Sequence, residues 1–472
     1  MSQGDFVRFN VSASLLLLLS VLPISAQSKK TVSVWLTSAD RSSLFGHQAK
    51  PLHFQKTKGK IPSIEVDDEK TFQSMDGFGF ALTGGSAQLL MRMDAKDRAA
   101  ILEELIGTTG KDIGISYLRV SIGSSDMNEH VFTYDDLPPG EKDIELTKFS
   151  LDPDRADVIP VLKQILAINP HITILGSPWS APSWMKTNDN PKGGSLKPEY
   201  YATYANYFVK YIEGMKAEGI PMDAITIQNE PLNEKNTPSM KMLAVDQAVF
   251  IKGFLGPAFR KAGITTKIIL YDHNCDVPEY PLTILNNSEA RQYVDGSGFH
   301  LYGGDISAMS KVHDAYPDKN LYFTEQMVVE RPEETKFKIA SPEQRIVIGA
   351  TRNWSRNVLL WNLAADPENR PHTDNGGCTM CQGAITLDGN TVTRNIAYYT
   401  IAHAAKFVRP GSVRVQSSTT DTLPNVAFRT PDGKDVLIVA NNSQESQTFQ
   451  IRYHNKSVTS TLSDGAVATY VW

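Results

Sequence analysis

Hydrophobic and polar positions between residues 71 and 408 alternate between two periods. Short runs with a two-residue period predict strands over Gln73–Leu82, Tyr117–Ile122, Ile172–Trp179, Asp223–Pro231, Lys267–Tyr271, Gly298–Tyr302, Leu321–Thr324 and Asn357–Leu363. Apolar residues at helical spacing predict helices over Ser86–Ile106, Arg155–Ile168, Glu199–Ala217, Asp246–Ala262, Leu282–Tyr293, Ser307–Ala315, Ser341–Trp354 and Arg394–Val408. Parallel strands need crossover connections, so eight strands each followed by a helix predict an α/β fold, a closed (β/α)8 TIM barrel. A doubly wound open sheet is the rival, but no G-x-G-x-x-G follows the first strand.

Both ends of the chain have a different texture. Thr31–Leu36 and Ile64–Val66 read as strands before the barrel. After Pro410-Gly411, short strands at Val413–Val415, Val426–Arg429, Asp435–Asn441, Thr448–Arg452 and Ala466–Trp472 alternate with turns such as Pro431-Asp432-Gly433. Both ends together predict one side antiparallel β-sandwich, giving N-terminal strands in 27–70, a catalytic barrel in 71–408 and C-terminal strands in 409–472. Residues 1–26 read as a secretory signal peptide, with Arg8 before the apolar run Leu15–Leu19 and small residues at Ile24-Ser25-Ala26. That implies a secreted, periplasmic or cell-surface protein without stable membrane insertion.

The chain has 472 residues, 41% hydrophobic and 21% charged, enough for a sizeable core. A net charge of −5 without basic runs excludes a nucleic-acid partner and a polybasic membrane surface. Of three cysteines, Cys275 stands alone. Cys378 and Cys381 form a C-x-x-C in a loop, read as a short disulfide or as free thiols rather than a zinc site, since no second ligand pair exists.

Residues at the C-terminal ends of barrel strands converge on one mouth. Those ends are Gly77, Asp126, Trp179, Glu230, His273, His300, Tyr302, Glu325 and Trp361 with Asn362. Aromatic faces, amides and two carboxylates suit a sugar and the cleavage of its acetal. Glu230, before Pro231, fits a general acid, its pKa expected to rise beside the Glu325 charge. Glu325 fits the nucleophile, with Tyr302 or His300 as hydrogen-bond partners. Each residue also has a plainer reading: a rim salt bridge for either Glu, core packing for Trp179, Trp184 and His300, a loop cap for Asp126. His273-Asn274-Cys275 resembles part of a metal site, yet a carboxylate pair needs neither metal nor cofactor. No G-x-S-x-G or H-E-x-x-H is present.

In order, Gly77-Phe78-Gly79, Leu118-Arg119-Val120, Ser125-Asp126, Ser177–Lys186, Gln228–Pro231, His300-Leu301-Tyr302, Thr324-Glu325 and Trp361-Asn362-Leu363 resemble glycoside hydrolase family 30, the glucosylceramidase-like branch. The resemblance implies a retaining mechanism with Glu230 as acid/base and Glu325 as nucleophile. It implies that Asn229 binds the sugar 2-hydroxyl, that Asp126, Trp179 and Trp361 hold the terminal glucose, and that His300 and Tyr302 line the nucleophile's side. Where animal lysosomal members carry an Asn-Gly-Gly-Pro-Asn-like run, this chain has Asn375–Cys381, which puts a ceramide leaving group in doubt. Bacterial and fungal relatives in that family include endo-β-1,6-glucanases, so the resemblance implies an endo-β-1,6-glucanase acting on β-1,6-glucan, expected as a monomer. Glucosylceramidase is the alternative, and a non-catalytic carbohydrate-binding protein or a Cys378/Cys381 redox protein are rivals of other classes.

Overall fold

The computed structural model describes residues 1, 4, 31–56, 61–331 and 335–472. Apart from residues 1 and 4, the expected leader lies outside the described residues. The barrel strands are β1 (Gly77–Leu82), β2 (Tyr117–Ser121), β3 (Thr173–Ser177), β4 (Ala224–Thr226), β5 (Lys267–Cys275), β6 (Val294–Gly304), β7 (Asn320–Glu325) and β8 (Ser355–Leu360). All pair parallel, and β8 closes on β1 with Asn357 opposite Gly77 and Leu360 opposite Phe80. Close approach is built into β1, where a Cβ on Gly79 would stand 1.9 Å from the Tyr117 carbonyl of β2.

Tyr117, Leu175, Ala224, Ile269, Tyr322 and Leu359, one from each of six strands, pack into a cluster inside the ring. Barrel interiors are filled by such layers, so the mouth rests on a packed floor rather than a pore. A second, larger core lies between the strands and the surrounding helices.

The side domain uses both chain ends, as the patterning predicts. Thr31–Thr37 pairs with Val467–Val471, and Ser63–Ser74 pairs with Val413–Ser417 on one flank and Gln447–Tyr453 on the other. Its own core includes Val32, Ile64, Leu437, Phe449, Tyr470 and Trp472. His403, fully buried on a barrel helix, bonds Thr37 Oγ1 and Thr469 Oγ1 at 2.9 Å each and ties both chain ends to the barrel.

Several expectations are corrected in detail. The run Gln73–Leu82 divides: Ser63–Ser74 belongs to the side sheet and Gly77–Leu82 to the barrel. Extended chain crosses between two sheets at Met75-Asp76, where Met75 N bonds Ser412 O and Asp76 N bonds Arg356 O, and a two-residue period cannot report that change of partner. Gly77 therefore opens β1, packed against Ser116, and is not at the mouth. The helix Ser86–Ile106 is two helices, Gly84–Arg92 and Ala95–Ile106. Two antiparallel pieces missed by the pattern are the hairpin Ile385–Asp388 with Thr391–Arg394 and the strand Lys456–Leu462. Among the described residues, no helix is long and apolar enough to cross a membrane.

Candidate active site

Strand β4 ends at Thr226, earlier than its sequence pattern suggests. The chain continues through Gln228 and Asn229 with Asn229 N bonded to Pro178 O, and Glu230 adopts a left-handed φ of 45°. Non-glycine residues adopt that region at a cost, and such strain concentrates at functional sites. Glu230 N bonds Asp272 O at 2.9 Å, and Gln228 Nε2 bonds Trp179 O at 2.7 Å. Bonds to the segment just after β3 and to β5 thus hold the Asn-Glu-Pro turn.

Strand β5 carries a second irregularity. Tyr271 and Asp272 both have positive φ, 71° and 63°, and the register with β6 slips between Tyr271 and His273. This bulge turns Asp272 into the barrel and leaves His273 on the cleft wall.

At the base of the site lies a network of charged groups that is almost wholly buried. Arg119, fully buried on β2, donates from Nη1 to Glu325 Oε2 at 2.6 Å and from Nη2 to Asp272 Oδ2 at 2.7 Å and Asn229 Oδ1 at 2.8 Å. Asp272 also accepts from Ser177 Oγ at 2.6 Å, Thr226 Oγ1 at 2.7 Å and Thr324 Oγ1 at 2.6 Å. Burial opposes ionisation of Asp272, but Arg119, His300 and Ser177 together hold its pKa well below the carboxylate range.

His300 joins the carboxylates. Its Nε2 lies 3.0 Å from Asp272 Oδ1, its Nδ1 3.2 Å from Glu230 Oε1 and 4.0 Å from Glu325 Oε1. Burial favours the neutral ring, but the Glu325 charge and the bonds to Asp272 and Glu230 outweigh it and push His300 up to about 9. Glu230 goes the other way from the expectation. Burial would raise its pKa, but the hydrogen bond and charge of His300, with help from His273 and Asn233, hold it below the carboxylate range. Sequence reasoning counted the like charge of Glu325 and not the imidazole standing between the two. Burial raises Glu325 instead, although His300 and Arg119 act against the rise. Glu325 also accepts from Tyr302 Oη at 3.0 Å.

One carboxylate oxygen from each Glu and a His300 nitrogen all lie within 4.8 Å of one another. Three such groups could ligate a cation, yet both His300 nitrogens already face carboxylates. A carboxyl separation of about 5–5.5 Å suits direct nucleophilic attack, whereas about 6.5–9.5 Å leaves room for a water.

Above the network opens a cavity of about 750 Å³ lined by Asp126, Trp179, Glu230, His273, Tyr302, Glu325 and Trp361 among others. Asn229, the remaining residue expected at the site, sits 5% exposed on Arg119 just below. Trp179 and Trp361 stand 5.3 Å apart and tilted by 32°, with the Arg119 guanidinium 4.8 Å from the Trp179 ring. Burial, then the charges of Glu325 and Glu230, push Asp126 up to about 8, so its carboxyl can donate as well as accept at neutral pH.

Trp184 is elsewhere. It donates to Asp135 O at 3.0 Å and packs edge-on to Tyr200, as the packing reading has it. Asn362 is structural too, bonding Thr83, Ser86 and the Cys381 carbonyl. Cys378 and Cys381 are disulfide-bonded, and Cys381 packs against Trp179 and Trp361.

Asp272 was not among the sequence candidates, and Arg119 appeared only inside a motif without a role. The available signal was a lone charge within an apolar strand, as in Tyr-Leu-Arg-Val and Ile-Leu-Tyr-Asp, because a buried charge must find a partner.

The family model described as the glycosyl hydrolase family 30 TIM-barrel domain matches residues 75–408, and that of the family 30 beta sandwich domain matches residues 411–470. An endo-1,6-beta-D-glucanase of Aspergillus fumigatus is 34% identical over 405 residues, 80% of this chain and 81% of that protein. The lysosomal acid glucosylceramidase of Mus musculus is 29% identical, over 87% of this chain and 83% of that protein. A solved endo-beta1,6-glucanase superposes with a TM-score of 0.86 at 34% identity, covering 94% of this chain and 99% of that one.

Proposed function

The chain belongs to glycosyl hydrolase family 30 and is a glycoside hydrolase, and from that premise we propose that it is a retaining endo-β-1,6-glucanase. The observation that carries the retaining mechanism is the pair Glu230 and Glu325, with oxygens inside 4.8 Å across one cleft. The linkage reading rests on the likeness to endo-1,6-glucanases at up to 34% identity, above the 29% of the mouse glucosylceramidase.

Glu325 is the nucleophile. Arg119 and Tyr302 each hold one of its oxygens, which fixes the carboxylate for attack on the anomeric carbon. Glu230 is the acid and then the base. Before a sugar binds, the raised His300 and the lowered Glu230, 3.2 Å apart, favour the proton on the imidazole. A sugar that displaces water from the cleft makes a separated ion pair dearer and favours neutral imidazole beside protonated Glu230. Glu230 then protonates the departing oxygen as Glu325 forms the glycosyl ester. In the second step Glu230 takes a proton from water as water replaces Glu325 at the same carbon. Asn229, aligned by Arg119, meets the 2-hydroxyl, and Asp126, Trp179 and Trp361 hold the rest of the ring.

We also infer an exported protein that works as a monomer, since residues 1–26 read as a leader and a polymeric glucan is too large to enter a cell. The test is a product profile on β-1,6-glucan, β-1,3-glucan, xylan and glucosylceramide. A ladder of β-1,6-linked oligosaccharides is expected. Release of glucose from glucosylceramide alone would overturn the linkage reading.

A further inference from the structure

The ring order places Glu230 after β4 and Glu325 at the end of β7. Two unequal flanks separate them. The longer one, through β8, β1, β2 and β3, carries Trp361, Asp126 and Trp179. The shorter one, β5 and β6, carries His273 and Tyr302. A proton donor stands between the sugar under attack and the sugar that leaves. With the attacked ring on the aromatic flank, the leaving group lies over β5 and β6.

On that flank we infer that the His273 imidazole is the hydrogen-bonding contact of a leaving-group glucosyl subsite, an assignment that rests on the β-glucan reading above. The β5 bulge brings His273 to the cleft through two successive left-handed residues, neither of them glycine. Held strain of this kind needs a purpose or strong support from the surroundings. Asp272 accounts for half of it by anchoring Arg119 and His300, and His273 is what the other half delivers. His273 is only 8% exposed, its Nδ1 is buried without a partner among the described residues, and its ring forms part of the cleft wall. Burial lowers its pKa, while the neighbouring Glu230 charge acts against the fall. The neighbouring wall is pinned: Tyr302 N bonds Asn274 Oδ1 at 3.0 Å, and Tyr271 Oη bonds the Asn274 carbonyl at 2.6 Å. Tyr302 is 42% exposed, leaving ring surface beside His273 for a sugar face.

Transfer of a glucosyl unit to a disaccharide isolates this subsite. With 2,4-dinitrophenyl β-glucoside as donor, the Glu325 ester bond to C1 breaks, an acceptor hydroxyl oxygen bonds to C1, and the hydroxyl proton passes to Glu230. Water competes for the same ester. The ratio of transfer to hydrolysis therefore reads acceptor binding independently of ester formation. For gentiobiose as acceptor, His273→Ala and His273→Phe are each expected to lower that ratio about ten-fold, the value of one good hydrogen bond. His273→Gln, which keeps a donor, should remain within about three-fold of wild type. Two variants guard against a misfolded one, with melting temperature as the check. An unchanged ratio in a folded Ala or Phe variant overturns the assignment. So does a wild-type enzyme that transfers to none of gentiobiose, laminaribiose and cellobiose. If wild type prefers laminaribiose or cellobiose, the β-1,6 reading fails while the same variants still test His273 with that acceptor.

Discussion

Replacing Asp272 by Asn removes one charge from the centre of the site and almost no volume. Asp272 is fully buried and accepts from Arg119, Ser177, Thr226, Thr324 and His300 at 2.6–3.0 Å. Two consequences separate cleanly. The first is stability: Arg119 keeps only Glu325 as a counter-charge, and breaking a buried pair costs about 3–5 kcal/mol. The second is the position of the proton. His300 is held at about 9 against an ordinary 6.5 by Glu325, Asp272 and Glu230 acting together. A charge-assisted hydrogen bond is worth about 1.5–3 kcal/mol, and one pKa unit corresponds to about 1.4 kcal/mol. Losing the Asp272 bond should therefore lower His300 by about one to two units. A raised pKa means the proton is present below it and lost as pH rises through it, so the alkaline limb of activity sits near 9 in wild type and moves toward neutrality in the variant. The acid limb is set by ionisation of Glu325, whose pKa burial raises, and activity appears as pH rises through that value. The assay is kcat/KM for an aryl β-glucoside from about pH 4 to about pH 10, beside a thermal melt. A variant with a lower plateau and an unmoved alkaline limb would refute the claim that His300 stores the proton.

Glu325→Gln should reduce turnover of an aryl β-glucoside by at least about a thousand-fold, whereas Glu230→Ala with azide should yield β-glucosyl azide by stereochemical analysis, because the ester still forms when the leaving group needs no proton. Trp184→Phe removes the bond to Asp135 O and part of the Tyr200 contact, so a loss of about 1–3 kcal/mol in a denaturation curve with KM unchanged is expected, while Trp361→Ala should raise KM for glucan. Reduction of Cys378–Cys381 by a dithiol, followed by thiol titration, should raise KM several-fold, since Cys381 packs beneath Trp179 and Trp361.

Patterning along the chain determined the eight strand–helix units and the two β-rich ends, because burial imposes a period of two on strands and about 3.6 on helices whatever the partner. It also located Glu230, Glu325 and the aromatic set, since residues at strand ends share one mouth in a closed parallel ring. Only the tertiary structure decided what each group experiences. The chain leaves the side sheet and enters the barrel within a single extended run, Ser63–Leu82, because the change is one of hydrogen-bonding partner and not of local period. Glu230 loses rather than gains proton affinity because His300, 70 residues away, stands 3.2 Å from it. Asp272 is the extra residue of a bulge in β5, standing between Tyr271 opposite Gly298 and His273 opposite Phe299, so the alternation read along the strand does not carry past it. Periodicity is written in neighbours along the chain, whereas charge, proton position and the facing of a bulged residue depend on atoms brought together by closure of the barrel.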